Sequence, residues 1–254
     1  MIDFHTHILP EIDDGSRNIN ETIALLQEAK QAGFTKIICT PHYYENLNYV
    51  ANEKDRESLI RAVSIALGKS ETNLQLYSGN EIYVSHEIVE LLKEKKASSI
   101  NDSNYVLFEL PFEEEVTGLK DIIFNLIKNN YKPIIAHPER YTFVQKNPNK
   151  LLEYINYGVL FQSNYGSIIG QYGKNAKKTV KKLLENNFVH FLGTDSHRPE
   201  TIYPKVSVAL EELEKILPKE EINKLTTYNA KLVLENKPIE TKKPIRIKTS
   251  FWNR

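Results

Sequence analysis

Five of the seven histidines in this 254-residue chain fall into a pattern that packing alone does not require. His5 and His7 form a His-x-His pair, and Asp195 with His197 forms an Asp-x-His pair. Side chains alternate along an extended segment, so each pair aims both of its groups to one side. Asp14, His42, Glu81, Glu109 and His137 are the remaining candidates, each at or shortly past the end of a short apolar run. Imidazole and carboxylate donors without thiolates suit borderline and hard divalent ions such as Mn²⁺, Fe²⁺ or Zn²⁺. These nine donors exceed what one ion can use, so the set predicts a cluster of two or three ions. Water held by such a cluster becomes a nucleophile near neutral pH, and anionic substrate oxygens are neutralised there. Arg140, three residues beyond His137, offers a guanidinium fork that matches two phosphate oxygens, with Arg198 beside His197 a weaker second candidate. A lone histidine or arginine is more often a core or surface residue. His86, early in an expected helix, and His190, inside the last expected strand, keep that ordinary reading. So does Cys39, a small core residue with no assigned role.

Such donors must be carried by elements that converge. Apolar, β-branched runs at Met1–His5, Lys36–Thr40, Leu74–Ser78, Tyr105–Leu110, Lys132–Ala136, Val159–Gln162 and Phe188–Gly193 predict seven strands. Amphipathic helices are expected between them over Asn20–Gly33, Asn52–Leu67, Ser85–Lys96, Gly118–Asn129, Asn149–Asn156 and Gly173–Asn187. Two more are expected near Pro204–Ile216 and Lys219–Glu235. Strand–helix alternation throughout predicts parallel strands wrapped by helices, in a barrel or distorted barrel. The C-terminal ends of such strands meet on one face, where barrels of this class place their sites. The candidates occupy those ends. The expected organisation is one catalytic domain over residues 1–240. A basic tail, 241–254, follows; it carries Lys242, Lys243, Arg246, Lys248 and Arg254 with Phe251 and Trp252, and is read first as a solvated terminus. The sharper reading of that tail is a dock for an anionic surface or acidic partner.

Composition closes off other classes. Thirty-three basic and 33 acidic residues leave no net charge, against a general nucleic-acid or anionic-membrane binder. With 41% hydrophobic residues the chain is not an extended disordered one. A single cysteine permits no internal disulfide and no thiolate metal site. The N-terminal residues do not read as a signal peptide and no run reaches the length of a membrane span, so a cytoplasmic protein is expected, free or at the inner face of the membrane.

The ordered series Asp3-Phe4-His5-Thr6-His7, Asp13-Asp14-Gly15, Thr40-Pro41-His42, Gly79-Asn80-Glu81-Ile82, Phe108-Glu109-Leu110-Pro111-Phe112, Ala136-His137-Pro138-Glu139-Arg140-Tyr141 and Thr194-Asp195-Ser196-His197 resembles the polymerase-and-histidinol-phosphatase (PHP) superfamily. Within it the chain is similar to the manganese-dependent tyrosine-protein phosphatases of bacterial capsule and exopolysaccharide operons, the CpsB type. The resemblance runs from residue 1 to about 237. It implies an α/β fold, a distorted (β/α)₇ TIM-like barrel (the PHP fold), with a trinuclear Mn²⁺ site. By that analogy His5, His7, Glu81 and Asp195 hold one ion. Glu81 bridges to a second on Glu109 and His137, and Asp14, His42 and His197 hold the third. A metal-bound hydroxide would attack phosphorus in line while Arg140 steadies the phosphoryl group, and Asp3 would orient a ligand histidine. The family pattern has a second arginine several residues past Asp-x-His. Here Arg198 follows His197 directly, so its role is carried over only as a shifted counterpart.

The implied substrate is the phosphorylated tail of a membrane-associated bacterial tyrosine kinase. A cysteine-based phosphatase is excluded, because Cys-x₅-Arg from Cys39 meets Glu45 instead of arginine. The alternatives are a small-molecule phosphatase such as histidinol phosphatase on the same metals, or a non-catalytic metal-binding regulator. The regulator should have lost ligands, and none of the nine is missing.

Overall fold

A computed structural model describes residues 1–68 and 73–248. The elements run β1 (Ile2–Thr6), α1 (Ile19–Gln31), β2 (Lys36–Cys39), β3 (His42–Tyr43), α2 (Glu53–Gly68), β4 (Gln75–Ser78), β5 (Glu81–Tyr83), α3 (Ile88–Lys93), β6 (Tyr105–Glu109) and α4 (Leu119–Lys128). Then follow β7 (Lys132–Ala136), α5 (Thr142–Lys146), α6 (Leu151–Asn156), β8 (Leu160–Asn164), α7 (Tyr165–Ile169), α8 (Gly173–Glu185), β9 (Phe191–Gly193), α9 (Val206–Glu214), α10 (Lys219–Asn223) and, past a π-helical turn, α11 (Asn229–Leu234).

All strand pairs are parallel, in the orders β1-β2-β4 and β3-β5-β6-β7-β8-β9. The two sheets are one curled wall, because β3 continues β2 and β5 continues β4 across local breaks. Pro41 cannot donate to a ladder and interrupts the first strand. Asn80 interrupts the second and stitches the gap: its Nδ2 donates to the Pro41 carbonyl at 2.9 Å and its Oδ1 accepts from Ser98 N at 2.9 Å. The wall closes between β1 and β9, where His7 N donates to Ser196 O at 3.0 Å and Asp195 N to His5 O at 2.8 Å. That seam needs Gly193, since a Cβ there would lie 2.6 Å from the Cβ of His5.

Two apolar layers hold the wall. Inside it Ile2, Phe4, Ile38, Leu107, Ile134, Leu160 and Phe191 pack together, with Phe4 and Phe191 stacked at 4.1 Å. Ala230 and Val233 of α11 join this cluster and plug the N-terminal mouth. Each buried phenylalanine contributes roughly 1.5–3 kcal/mol. Outside, Leu25 and Leu26 of α1, Ile123 and Leu126 of α4 and Leu183 of α8 pack on the strands' outward residues Ile37, Val106, Phe108 and Ile135. The floor is therefore apolar and plugged, and only the C-terminal mouth is left for polar groups.

All seven expected strands are present, and two short ones, β3 and β5, lie beyond the expected ends of the second and third. The helix expected over Ser85–Lys96 shortens to α3, and the one over Lys219–Glu235 contains the π-helical turn Lys224–Tyr228. Helices α5 and α7 span five residues each, too short to register as periodicity. Of the basic tail's described residues, 241–248, most are exposed and none is in a helix or strand, and backbone contacts anchor it. Ile247 is buried, its N–H and C=O pair with the Asn149 side chain, and Ile245 N donates to Asn186 O. Arg254, Phe251 and Trp252 lie outside the described residues.

Candidate active site

The His-x-His pair reaches the interior through a fault in β1. Asp3 pairs with Ile37 but Thr6 with Cys39, so β1 carries one extra residue. Such a bulge reverses the alternation of faces. Phe4 packs in the inner core, and His5, next in sequence, also faces inward to put Nδ1 2.8 Å from Gln162 Oε1. His7 Nδ1 lies 2.7 Å from Asp13 Oδ2. With both Nδ1 atoms engaged, the two rings turn their Nε2 atoms toward each other, 3.0 Å apart.

Glu81 stands at the centre. Its Oε2 is 3.2 Å from His5 Nε2, 3.3 Å from His7 Nε2 and 3.1 Å from His42 Nδ1, yet none of these is aligned as a hydrogen bond. Its Oε1 is 2.8 Å from His137 Nε2. Glu109 lies 3.3 Å from His42 Nδ1 and 3.9 Å from His137 Nε2. Asp195 Oδ1 sits 3.5 Å from His7 Nε2, 3.6 Å from His197 Nδ1 and 3.7 Å from His5 Nε2. Asp14 Oδ1 is 3.4 Å from His197 Nε2 and 3.6 Å from His42 Nε2. All nine expected donors thus meet at one mouth. Their closest groupings, each within 4.8 Å, are His5 with His7 and Glu81, His42 with Glu81 and Glu109, and His7 with Asp14, His42 and His197. The first lies within the allotment the resemblance implied and the third contains its Asp14, His42 and His197, while the second has His42 in the place of His137. His42 presents one nitrogen to each of two groups, and His7 faces the third group as well as the first.

The electrostatics ask for multivalent cations. Burial pushes the Glu109 carboxyl up and the charge of Glu81 pushes it further, well above the usual range. Burial would also raise Glu81, but His5, His42 and His137 hold it well below. Asp14 feels the same competition and, with His197 against it, falls to about 2. Burial and the nearby charge of His7 depress His42 to about 4. Carboxylates this close cannot all stay ionised without positive charge among them. An unaligned carboxylate oxygen amid three nitrogens, and an orphaned buried His42 Nδ1, are what bridging divalent ions would satisfy. The donor set fits them.

Arg140 lines the same cavity, of about 530 Å³. Its Nη1 donates to Asp195 Oδ2 at 2.9 Å, and its guanidinium lies between the rings of Phe112, at 4.5 Å, and Tyr172, at 4.3 Å. Arg198 does not line it. Its Nη1 donates to the carbonyls of Asp14 and His197, each at 2.8 Å, and to that of Gly15. Placed directly after His197, its side chain turns back over the Asp14–Gly15 loop, so it braces that loop where a phosphate contact had been expected. Asp3 corrects another expectation: its carboxylate accepts from Thr194 and Tyr203, and no ligand imidazole rests on it. The groups that orient ligands are Asp13 on His7, Gln162 on His5, and Asn164, whose Nδ2 donates to Asp195 Oδ2 at 2.7 Å. Sequence reasoning passed over Gln162, Asn164 and Tyr172. The Gln-x-Asn spacing at the end of a strand was the available signal for the first two; nothing local marks Tyr172. His86 and His190 lie outside the cluster, as expected.

Comparisons with known proteins agree with this picture. Residues 1–235 match the family described as capsular polysaccharide synthesis, CpsB/CapC. CapC of Staphylococcus aureus is 35% identical over 96% of this chain and 95% of its own. Tyrosine-protein phosphatase YwqE of Bacillus subtilis is 32% identical over 98% of this chain and 97% of its own. A chain from the crystal structures of YwqE from Bacillus subtilis and CpsB from Streptococcus pneumoniae, described as unique metal-dependent tyrosine phosphatases, superposes with a TM-score of 0.92. It is 31% identical and covers 98% of this chain and 100% of its own. A histidinol phosphate phosphatase of Lactococcus lactis, with a TM-score of 0.55, 14% identity and coverage of 85% of this chain and 93% of its own, shares the fold.

Proposed function

This chain belongs to the CpsB/CapC family, and from that premise we propose that it is a metal-dependent tyrosine-protein phosphatase acting in capsule or exopolysaccharide synthesis. The observation that carries the reading is Glu81 Oε2 set 3.1–3.3 Å from three imidazole nitrogens at the mouth of a cavity that also holds a guanidinium.

His5, His7, Asp14, His42, Glu81, Glu109, His137, Asp195 and His197 would hold the ions, with Mn²⁺ favoured and Fe²⁺ or Zn²⁺ compatible with the same donors. Bound there, divalent ions supply Lewis acidity toward phosphoryl oxygens and lower the pKa of water. The chain's own residues do the rest. Arg140, clamped by two rings and Asp195, presents its remaining N–H groups to the transferring phosphoryl group, where charge grows in the transition state. Gln162, Asp13 and Asn164 fix the directions of His5, His7 and Asp195, so the donors need not reorganise during the reaction.

The physiological substrate we assign is a phosphotyrosine protein, and within that class a membrane-associated bacterial tyrosine kinase. No helix among the described residues is long and apolar enough to cross a membrane, and a cytoplasmic location fits such a substrate. Phosphate release from a phosphotyrosine peptide and from histidinol phosphate, by Mn²⁺-loaded protein with and without EDTA, tests the reading. EDTA-sensitive preference for the peptide is expected; preference for histidinol phosphate would overturn it.

A further inference from the structure

Above the ligands the cavity changes character. Tyr44, Leu47 and Tyr49 line one side and Pro111 and Phe112 another. Tyr44 and Tyr49 close a turn directly after the ligand His42: Tyr44 N donates to Tyr49 O at 2.9 Å and Tyr49 N to Tyr44 O at 3.1 Å. Asn48 takes the left-handed conformation, φ 58°, that the turn requires. Leu47, beside it, is 56% exposed, and Phe112 is 37% exposed. These rings are held from below. Tyr44 stacks on Tyr83 at 3.9 Å and 7°, Tyr49 lies parallel to His42 at 6.1 Å and 14°, and Phe112 lies over His137 at 5.6 Å and 28°. The walls are therefore braced by neighbouring rings, and a phosphoryl group held by the donors below would direct its ester substituent between them.

Resting on the phosphatase reading, we infer that the Tyr44–Tyr49 turn and the Pro111–Phe112 segment form a subsite for the aromatic ring of an aryl phosphate. They select aryl over alkyl phosphomonoesters by binding as well as by leaving-group reactivity. Leu47 and Tyr49 are its specificity-determining residues on one wall. Leu47 gains a partner only when a ring enters, and Tyr49 contributes its face, since no partner for its hydroxyl is needed.

Non-hydrolysable phosphonates separate binding from reactivity. Calorimetric titration of the Mn²⁺-loaded enzyme should give a Kd for phenylphosphonate roughly tenfold below that for methylphosphonate, as burial of about one ring face predicts. Leu47→Ser and Tyr49→Ala should each lower that ratio by about threefold or more. Tyr49→Phe, which keeps the ring, should retain it. Equal affinities in the unsubstituted enzyme, or a ratio unmoved by both variants, overturns the subsite while leaving turnover, and so the phosphatase reading, intact. Failure to release phosphate from either phosphotyrosine or β-glycerophosphate overturns the phosphatase reading itself, and the subsite with it.

Discussion

His137 and Asp195 present their side chains from left-handed backbone, with φ of 31° and 54°. Neither is glycine, and such conformations cost on the order of 1–3 kcal/mol where they persist. Both sit at strand ends, where the turn aims a donor into the mouth. Because neighbouring packing holds that backbone, His137→Ala should leave the fold intact, by circular dichroism, and abolish turnover by the metal-loaded enzyme. Arg140 depends equally on its surroundings. The Phe112 and Tyr172 faces desolvate the guanidinium without removing its charge, a geometry worth roughly 0.5–2 kcal/mol. Tyr172→Ala should therefore lower kcat/KM for a phosphotyrosine peptide by about tenfold with metal content unchanged. Tyr172→Phe should recover most of it, because the ring face carries the contact.

At the scale of elements, β8 carries no expected ligand but sets two of them. Gln162 and Asn164 lie two residues apart on one face of the strand, and Gln162 Nε2 donates to Asn164 Oδ1 at 2.8 Å. Through this link the orientations of His5 and Asp195 depend on one another. Gln162→Ala should weaken binding of the tightest ion by about 10–100-fold, read by competition with a chromophoric chelator, and cost about 1–3 kcal/mol of stability, because buried His5 Nδ1 and Asn164 Oδ1 each lose a partner. The β1–β9 seam answers to a different test. A methyl group at Gly193 has no room beside His5, so Gly193→Ala should lower the unfolding free energy, measured by urea denaturation, by on the order of 1–3 kcal/mol for overpacking.

The whole molecule joins an apolar plug at one end of the barrel to a carboxylate-rich mouth at the other, and its stability should follow both. Ions that bind only the folded state stabilise it by mass action, so EDTA should lower Tm and added Mn²⁺ should raise it with concentration. At the opposite end, His190 Nδ1 accepts from Phe161 N at 3.1 Å, which requires a neutral ring, and burial pushes its pKa down to about 4. Below the unfolded value, near 6.5, the unfolded chain takes up a proton that the native one refuses. This contribution is thus complete above that pH and is lost as pH falls toward 4, on the order of 3 kcal/mol in all. Asp3, raised to about 6 by burial, runs the opposite way over much of the same window. The comparison that isolates the histidine is therefore unsubstituted protein against His190→Asn. Their stability difference should shrink as the buffer is taken from pH 7 to 4.5.

The nine donors, the seven strands and the placement of one on the ends of the other were legible in the amino-acid sequence. Donor types are chemistry carried by single residues, and strand and helix periods are local patterns. How the two rings of the His-x-His pair come to face inward together was not, because it depends on a one-residue bulge in β1 that leaves no mark in composition or period. The same holds for Arg198, whose number in the chain says it follows His197 but not that it folds back on Gly15. Gln162, Asn164 and Tyr172 acquire their roles only through partners distant in sequence, such as His5, 157 residues from Gln162. A sequence lists what each group can donate or accept; only closure of the barrel decides what it meets.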